Sequence, residues 1–226
     1  MSRSAAIGCL ALAWLAASPA AAESVRWITV PGKGIVSFDA DFTPSPFSGF
    51  GRHVEGAFDA DPWDLSIGVT GELSTEVGSF TTGNEARDKE VLKTLSADKF
   101  PTITFVIQAL DASFPSVSET SDVILTIQGR LSIAGVERVK RFAGRVRWKD
   151  RRLWVRGETR FKMSDFGIKP PTYLFIAVKD ELGVGFDVLL EPKDGVVPPK
   201  PLKPGQPIIP PPPTSRPPAP HPAPGQ

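Results

Sequence analysis

The chain has 226 residues, with 26 Lys and Arg against 25 Asp and Glu and a formal net charge of +1. A near-neutral balance with no dense basic patch argues against nucleic acid as a partner. One cysteine and two histidines leave little material for thiol, metal or imidazole chemistry.

Residues 1–22 read as a secretory leader. Arg3 supplies the positive start, "AAIGCLALAWLAA" a short apolar core, and "SPAAA" an Ala-x-Ala cleavage site, which predicts a mature chain from Glu23. The apolar run is short for a bilayer span. The expected location is periplasmic or secreted. Cys9 lies inside the leader, so the mature chain is expected to hold no disulfide.

Strand signals follow. "GIVSFDADF" (34–42) alternates, with Val36, Phe38, Ala40 and Phe42 on one face and Ser37, Asp39 and Asp41 on the other. "GKG" at 32–34 lacks the rest of any phosphate-binding pattern and reads as a turn. "FTPSPFSGFG" (42–51) reads as a Pro/Gly-rich loop carrying Phe47 and Phe50. Weaker strand patterns lie at 54–59 and 65–79. "NEARDKEVLKTL" (84–95) predicts a helix, with Asn84 as cap, Glu85 and Asp88 in the first turn, and Val91, Leu92 and Leu95 as its apolar stripe.

Beyond Pro101 the alternation returns. "TITFVI" (102–107) puts Ile103, Phe105 and Ile107 together, and "VILTIQGRLSI" (123–133) does the same for Val123, Leu125, Ile127, Leu131 and Ile133. A weaker pattern covers 139–148. "KDRR" (149–152) reads as a charged hairpin tip between Trp148 and Trp154. "RLWVRGETRFKM" (152–163) sets Leu153, Val155, Phe161 and Met163 against Arg156, Glu158, Arg160 and Lys162. "LGVGFDVLLEP" (182–192) aligns Leu182, Val184, Phe186, Val188 and Leu190. From Gly195 the material changes: 14 of the chain's 24 prolines lie in 195–226. Proline removes amide donors, so this segment is expected to be a disordered, extended tail.

These signals predict three segments: leader 1–22, one domain over 23–194, and the tail. About eight antiparallel strands with one helix make an all-β barrel or sandwich. His53 has no nucleophile and acid pattern around it, and no metal-ligand spacing occurs, so neither an enzyme nor a metal or other cofactor is expected. An eight-stranded barrel holds either its own side chains or one slender ligand, and alternation does not separate the two.

Three blocks resemble the YceI-like family of exported bacterial proteins. They are "TTGNEARDKEVL" with "FPTITF", "GRLSIAGVERVKRF" (129–142), and "MSDFGIKPP" with "VKDELGVGFDVLLEP" (163–192). The resemblance implies a lipocalin-like, eight-stranded antiparallel barrel with a short helical insertion near one mouth. It also implies a non-enzymatic protein that holds an isoprenoid chain, of the polyprenyl quinone or polyprenyl phosphate type, in its lumen. Histidines common in the family are absent here: Lys33 and Gly34 stand near one such position, and Ala134 at another. A ligand without a charged head is therefore favoured. The proline tail is unusual for the family.

Val36, Phe38, Phe42, Ile103, Phe105, Ile107, Leu131, Phe161 and Phe166 are the candidate lumen residues, against the simpler reading of plain core packing. Phe47, Phe50 and Arg87 are the candidates for the mouth and head group. For Arg87 with Asp88 the simpler reading is a structural clamp at the helix start. Asp165 and Gly167 read as a turn. The expected partner is an isoprenoid lipid, with room for transient contact with a membrane surface. A dimer is neither required nor excluded by the sequence. The alternative is a closed-core envelope module, for stress protection or assembly, acting through its surface and proline tail.

Overall fold

The computed structural model describes residues 24–43, 45–173 and 176–197. The leader and all but the first three residues of the tail lie outside that range. The strands are β1 (Val25–Ala40), β2 (Phe47–Gly51), β3 (Val54–Ala60), β4 (Thr70–Glu76), β5 (Thr102–Ala112), β6 (Val123–Ile133), β7 (Val136–Lys149), β8 (Arg152–Lys162), β9 (Thr172–Tyr173), β10 (Ile176–Ala177) and β11 (Glu181–Pro192). The helix α1 is Glu85–Thr94.

The main sheet runs β11-β8-β7-β6-β5-β4-β3-β1, and β1 pairs back onto β11, so the wall closes. Every pairing is antiparallel. The first half of β1 pairs with β3, from Val25 opposite Ala60 to Ile28 opposite Ala57. Its second half pairs with β2, from Val36 opposite Gly51 to Ala40 opposite Phe47. Thus β2 and β3 are two pieces of one wall position, interrupted at Arg52 and His53, and the ring has eight positions. Closure removes the open edges that a flat sheet would expose.

Local chemistry explains the elements. β6 and β7 join through Ala134 (φ 49°) and Gly135 (φ 77°), and β7 and β8 through Asp150 (φ 52°) and Arg151 (φ 60°). Both are two-residue connections with left-handed central residues, whose twist suits adjacent strands. The alternation expected for β5, β6, β8 and β11 is present, with Leu125, Ile127, Leu131, Leu153, Phe161, Val188 and Leu190 turned into the core. Outward residues form ion pairs across strands, such as Arg156 with Asp187 (2.6 Å) and Arg152 with Glu191 (3.0 Å). Exposed pairs of this kind add little stability, about 0–1 kcal/mol each.

Three expectations need correction. β1 begins nine residues earlier than the alternation at 34–42 indicated. A register shift between Thr29 and Gly34 absorbs Pro31 and Gly32 (φ +69°), so a run that reads as a turn is a bulge inside one strand. The segment 65–79 is a strand only over Thr70–Glu76, flanked by single helical turns at Leu65–Ile67 and Val77–Ser79. Asp64 caps the first turn by accepting from the Ser66 amide at 3.1 Å, and Gly68 (φ +102°) ends it. Finally, the presumed loop at 42–51 contains β2, whose five residues gain their order by pairing along β1.

The two barrel ends differ. At one end Trp27, fully buried, meets the Trp148 ring edge-on at 5.9 Å, and Trp63 meets Trp148 at 5.4 Å. The Trp27 indole donates to the Ala60 carbonyl (3.2 Å) and the Trp148 indole to Glu119 Oε1 (3.2 Å), so the buried N–H groups are satisfied. At the other end α1 lies across the opening.

Candidate functional site

The helix is placed by its first turn. Gly83 (φ +75°) turns the chain, and the Asn84 side chain accepts from the Arg87 amide at 3.1 Å. Asp88 then reaches back to the strand side. It accepts from the Thr82 amide (2.7 Å), the Thr82 hydroxyl (2.6 Å) and the Thr81 hydroxyl (2.9 Å). Burial pushes the Asp88 carboxyl up, but the Thr82 and Thr81 hydrogen bonds, with the Arg87 charge, outweigh it and hold the group below the ordinary carboxylate value.

No residue of α1 is fully buried. Its inward face carries Arg87, Glu90, Val91, Thr94 and Leu95, the spacing of one helical stripe, and this stripe roofs a cavity. Leu92, expected on the stripe, is not part of the roof. The cavity has a volume of about 160 Å³. It would take on the order of ten waters. Its walls are almost wholly hydrocarbon. Arg87, Glu90 and Thr94 of the roof are polar, and in the wall Thr75 stands out: its hydroxyl is buried and has no hydrogen-bond partner among the described residues.

The structure brings together Val36, Phe38, Ile103, Phe105, Leu131 and Phe161 of the expected lumen set, with Phe47 and Arg87 of the expected mouth set. Phe38 meets Phe47 edge-on at 6.3 Å and Phe80 at 5.9 Å, an aromatic cluster just under the helix. The Arg87 guanidinium sits 4.5 Å over the Phe47 ring and makes no ion pair among the described residues. The clamp expected of Arg87 with Asp88 is therefore made by Asp88 alone. Arg87 is left facing the opening.

Four expected residues stand elsewhere. Ile107 belongs to the far half of the lumen. Phe166 is buried behind Phe161, with ring centres 5.0 Å apart, and plugs the turn after β8. Its neighbour Asp165 pairs with Lys140 at 2.6 Å, and Gly167 takes φ +70°, as a turn requires. Phe42 lies beyond the end of β1, half-buried against the core but off the cavity wall. Phe50 is excluded by the pleat: on β2 it alternates with Phe47, so it faces outward beneath the Arg52 guanidinium at 4.8 Å.

Leu182, Val184 and Phe186 line the cavity although they were not among the expected lumen residues, as does Phe142. The first three carry a clear signal, the alternation of β11. Phe142 sits in a strand whose polar outward residues dominate the pattern.

His53 is exposed, with its ring Nδ1 3.0 Å from Glu76 Oε2, and lies off the cavity. Among the described residues no group of three or more side chains is arranged to hold a metal ion.

Comparison with known proteins gives the following. The YceI-like domain model matches residues 27–190. Among solved structures, BcnA of Burkholderia cenocepacia superposes with a TM-score of 0.61 at 20% identity, covering 71% of this chain and 98% of that one. A polyisoprenoid binding domain from Saccharophagus degradans, implicated in plant cell wall breakdown, gives a TM-score of 0.58 at 12% identity, covering 74% of this chain and 99% of that one. The YceI protein of Campylobacter jejuni gives 0.54 at 18% identity, covering 66% and 86%. No functionally curated protein matches. At these identities the structural likeness speaks for the fold, while the domain match spans nearly all of the barrel. The chain belongs to the YceI-like domain family.

Proposed function

We propose that the protein is a non-enzymatic, exported carrier that holds an isoprenoid chain in the cavity beneath α1, its head group near Arg87. One observation carries this reading. The barrel leaves about 160 Å³ unfilled, in hydrocarbon, at the end covered by a helix that buries none of its own residues fully. A closed-core module would gain by filling that space, because cavities cost stability. Carbon walls suit a hydrocarbon guest, which gains about 0.8 kcal/mol per buried methylene. Several isoprene units then supply enough for micromolar binding after ordering costs. The likeness to a polyisoprenoid binding domain points the same way. Arg87 and the unpartnered Thr75 hydroxyl, with Glu90 on the same roof, are polar groups that a quinone oxygen or a hydroxyl would meet.

The test is native mass spectrometry of the protein purified from its own envelope, followed by organic extraction and reloading with polyprenyl quinones. An adduct of isoprenoid mass is expected. Ile103→Trp, which places an indole in the cavity, should reduce reloading by about 100-fold while the protein stays folded, as the guest loses the space of about six heavy atoms. A clean mass for the wild-type chain that gains nothing from added quinone would sink the carrier reading in favour of a module acting through its surface.

A further inference from the structure

The lumen is not one space. A second cavity of about 70 Å³ lies between the first and the tryptophan end, with Val117, Leu125, Val146 and Leu153 among its walls. Leu73, Phe105 and Phe186 line both cavities, so they mark the boundary. A row of rings runs along it. Phe105 and Phe142 have centres 4.8 Å apart at 64°, and Phe142 and Phe186 have centres 5.6 Å apart at 57°. These are edge-on or tilted contacts, the arrangement in which aromatic rings attract.

Glycines seat the row. A methyl carbon at Gly129 would come 2.3 Å from the Val106 carbonyl oxygen and 2.7 Å from the Phe105 ring, and one at Gly157 would come 2.5 Å from the Phe186 ring. These distances are impossible contacts, so β6 and β8 lack side chains where the rings cross the wall. The row extends from β5 over β6 to β7, and from β7 over β8 to β11. It therefore spans more than half the circumference.

We infer that this row is a length gauge: the prenyl chain ends against Phe105, Phe142 and Phe186, and the space beyond them is not entered. The inference rests on the isoprenoid reading. Along β11, Leu182 stands near the mouth and Phe186 at the row. That stretch is about 13 Å of strand, or roughly 10 Å of axial depth at the tilt of an eight-stranded barrel. An extended isoprene unit runs about 5 Å, so the upper chamber takes about two units. The cargo is therefore a short-chain prenyl compound, or a longer one whose remaining units stay outside the row.

The experiment measures affinity for quinones of graded prenyl length, from about one to about eight units, on wild type, Phe142→Ala, Phe142→Leu, Val146→Phe and Phe142→Ala with Val146→Phe. In wild type, affinity should rise about tenfold per unit and level off at about two units. Phe142→Ala should move the plateau out by at least one unit. Phe142→Leu, the milder change, should do so in part, and serves if the alanine variant fails to fold. Val146→Phe alone should leave the wild-type profile unchanged, but in the double variant it should cancel the gain by filling the far chamber. Affinity that keeps climbing to the longest quinone in wild type overturns the gauge, as does an unmoved plateau in folded Phe142 variants. In both cases the isoprenoid reading stands. Absence of binding at every length overturns both.

Discussion

The tryptophan end and the helix end of this barrel are closed by different physics. At the first, Trp27, Trp63 and Trp148 pack ring against ring, and Val117 and Pro62 are buried beside them. At the second, α1 buries nothing fully; Asn84 caps its first turn, and Asp88 alone ties that turn to Thr81 and Thr82 through hydrogen bonds. The wall itself thins there. Beyond β2 it is continued by a single bridge, in which Phe50 and Thr81 exchange two backbone bonds of 3.0 Å. Apolar burial is strong and non-directional; hydrogen bonds at a surface are individually worth about 1 kcal/mol and trade readily with water. The contrast teaches that the fold's stability is weighted toward one end. The other is left free to open, as binding elements in general are drawn from the less stable parts of a structure.

The largest effect should come from breaking the stable end. Trp27→Ala removes a fully buried indole and should cost about 3–5 kcal/mol in equilibrium urea unfolding. A loss below about 1 kcal/mol would show that the plug is not where stability resides. At the mouth, Asp88→Ala removes three hydrogen bonds and should cost about 2 kcal/mol. The change should be local: hydrogen exchange should speed up over residues 81–95 while the protection of β6 and β7 is kept. Faster exchange throughout would erase the distinction between the ends.

Acid offers a smaller and graded version of the same contrast. Asp88, Asp165 and Asp180 all titrate below the ordinary carboxylate value, and all hold elements near the mouth. Asp165 is held down first by its hydrogen bond from Lys140, and Asp180 by those from the Ser164 hydroxyl and amide. A carboxylate depressed in the folded state binds fewer protons there than in the unfolded chain. Its contribution is therefore complete above the unfolded value of about 3.9 and is lost as pH falls through the lower folded value. Exchange protection near α1 and the turn after β8, taken relative to the intrinsic amide rate at each pH, should be flat from neutrality to about pH 5 and fall once the pH drops below the ordinary carboxylate value, ahead of the Trp27 region. Simultaneous loosening at both ends would contradict this order.

Much of this architecture was legible in advance, for reasons that particular residues make plain. β6 was expected over the residues it occupies, because Val123 to Ile133 alternates without proline and ends at a two-residue turn. The helix was expected from Asn84, whose side chain does cap it. Prolines and glycines hid the rest. Pro31 and Gly32 masked the first half of β1, and Pro46, Gly49 and Gly51 masked β2, since local propensity is overruled when a long neighbour supplies every hydrogen bond. The cavity residues were legible where strands alternate cleanly. Phe50 was misplaced and Phe142 missed because facing depends on register, which no single stretch contains. The ring row was invisible for the same reason: Phe186 meets Gly157 only because β11 and β8 pair in one register.

The seam between β1 and β11 has a consequence in time. It joins Trp27 to Pro192 and Ala40 to Leu182, nearly the whole domain apart in sequence. The wall therefore cannot close until the last strand arrives, and each contact across the seam must repay a long loop. Folding is expected to be slow, with β1 waiting unpaired on one side through most of it. The same topology slows the reverse reaction, because neither β1 nor β11 can fray without tearing a closed ring. For the carrier proposed above, persistence of the fold becomes a matter of unfolding rate, which a guest bound in the cavity would lower further.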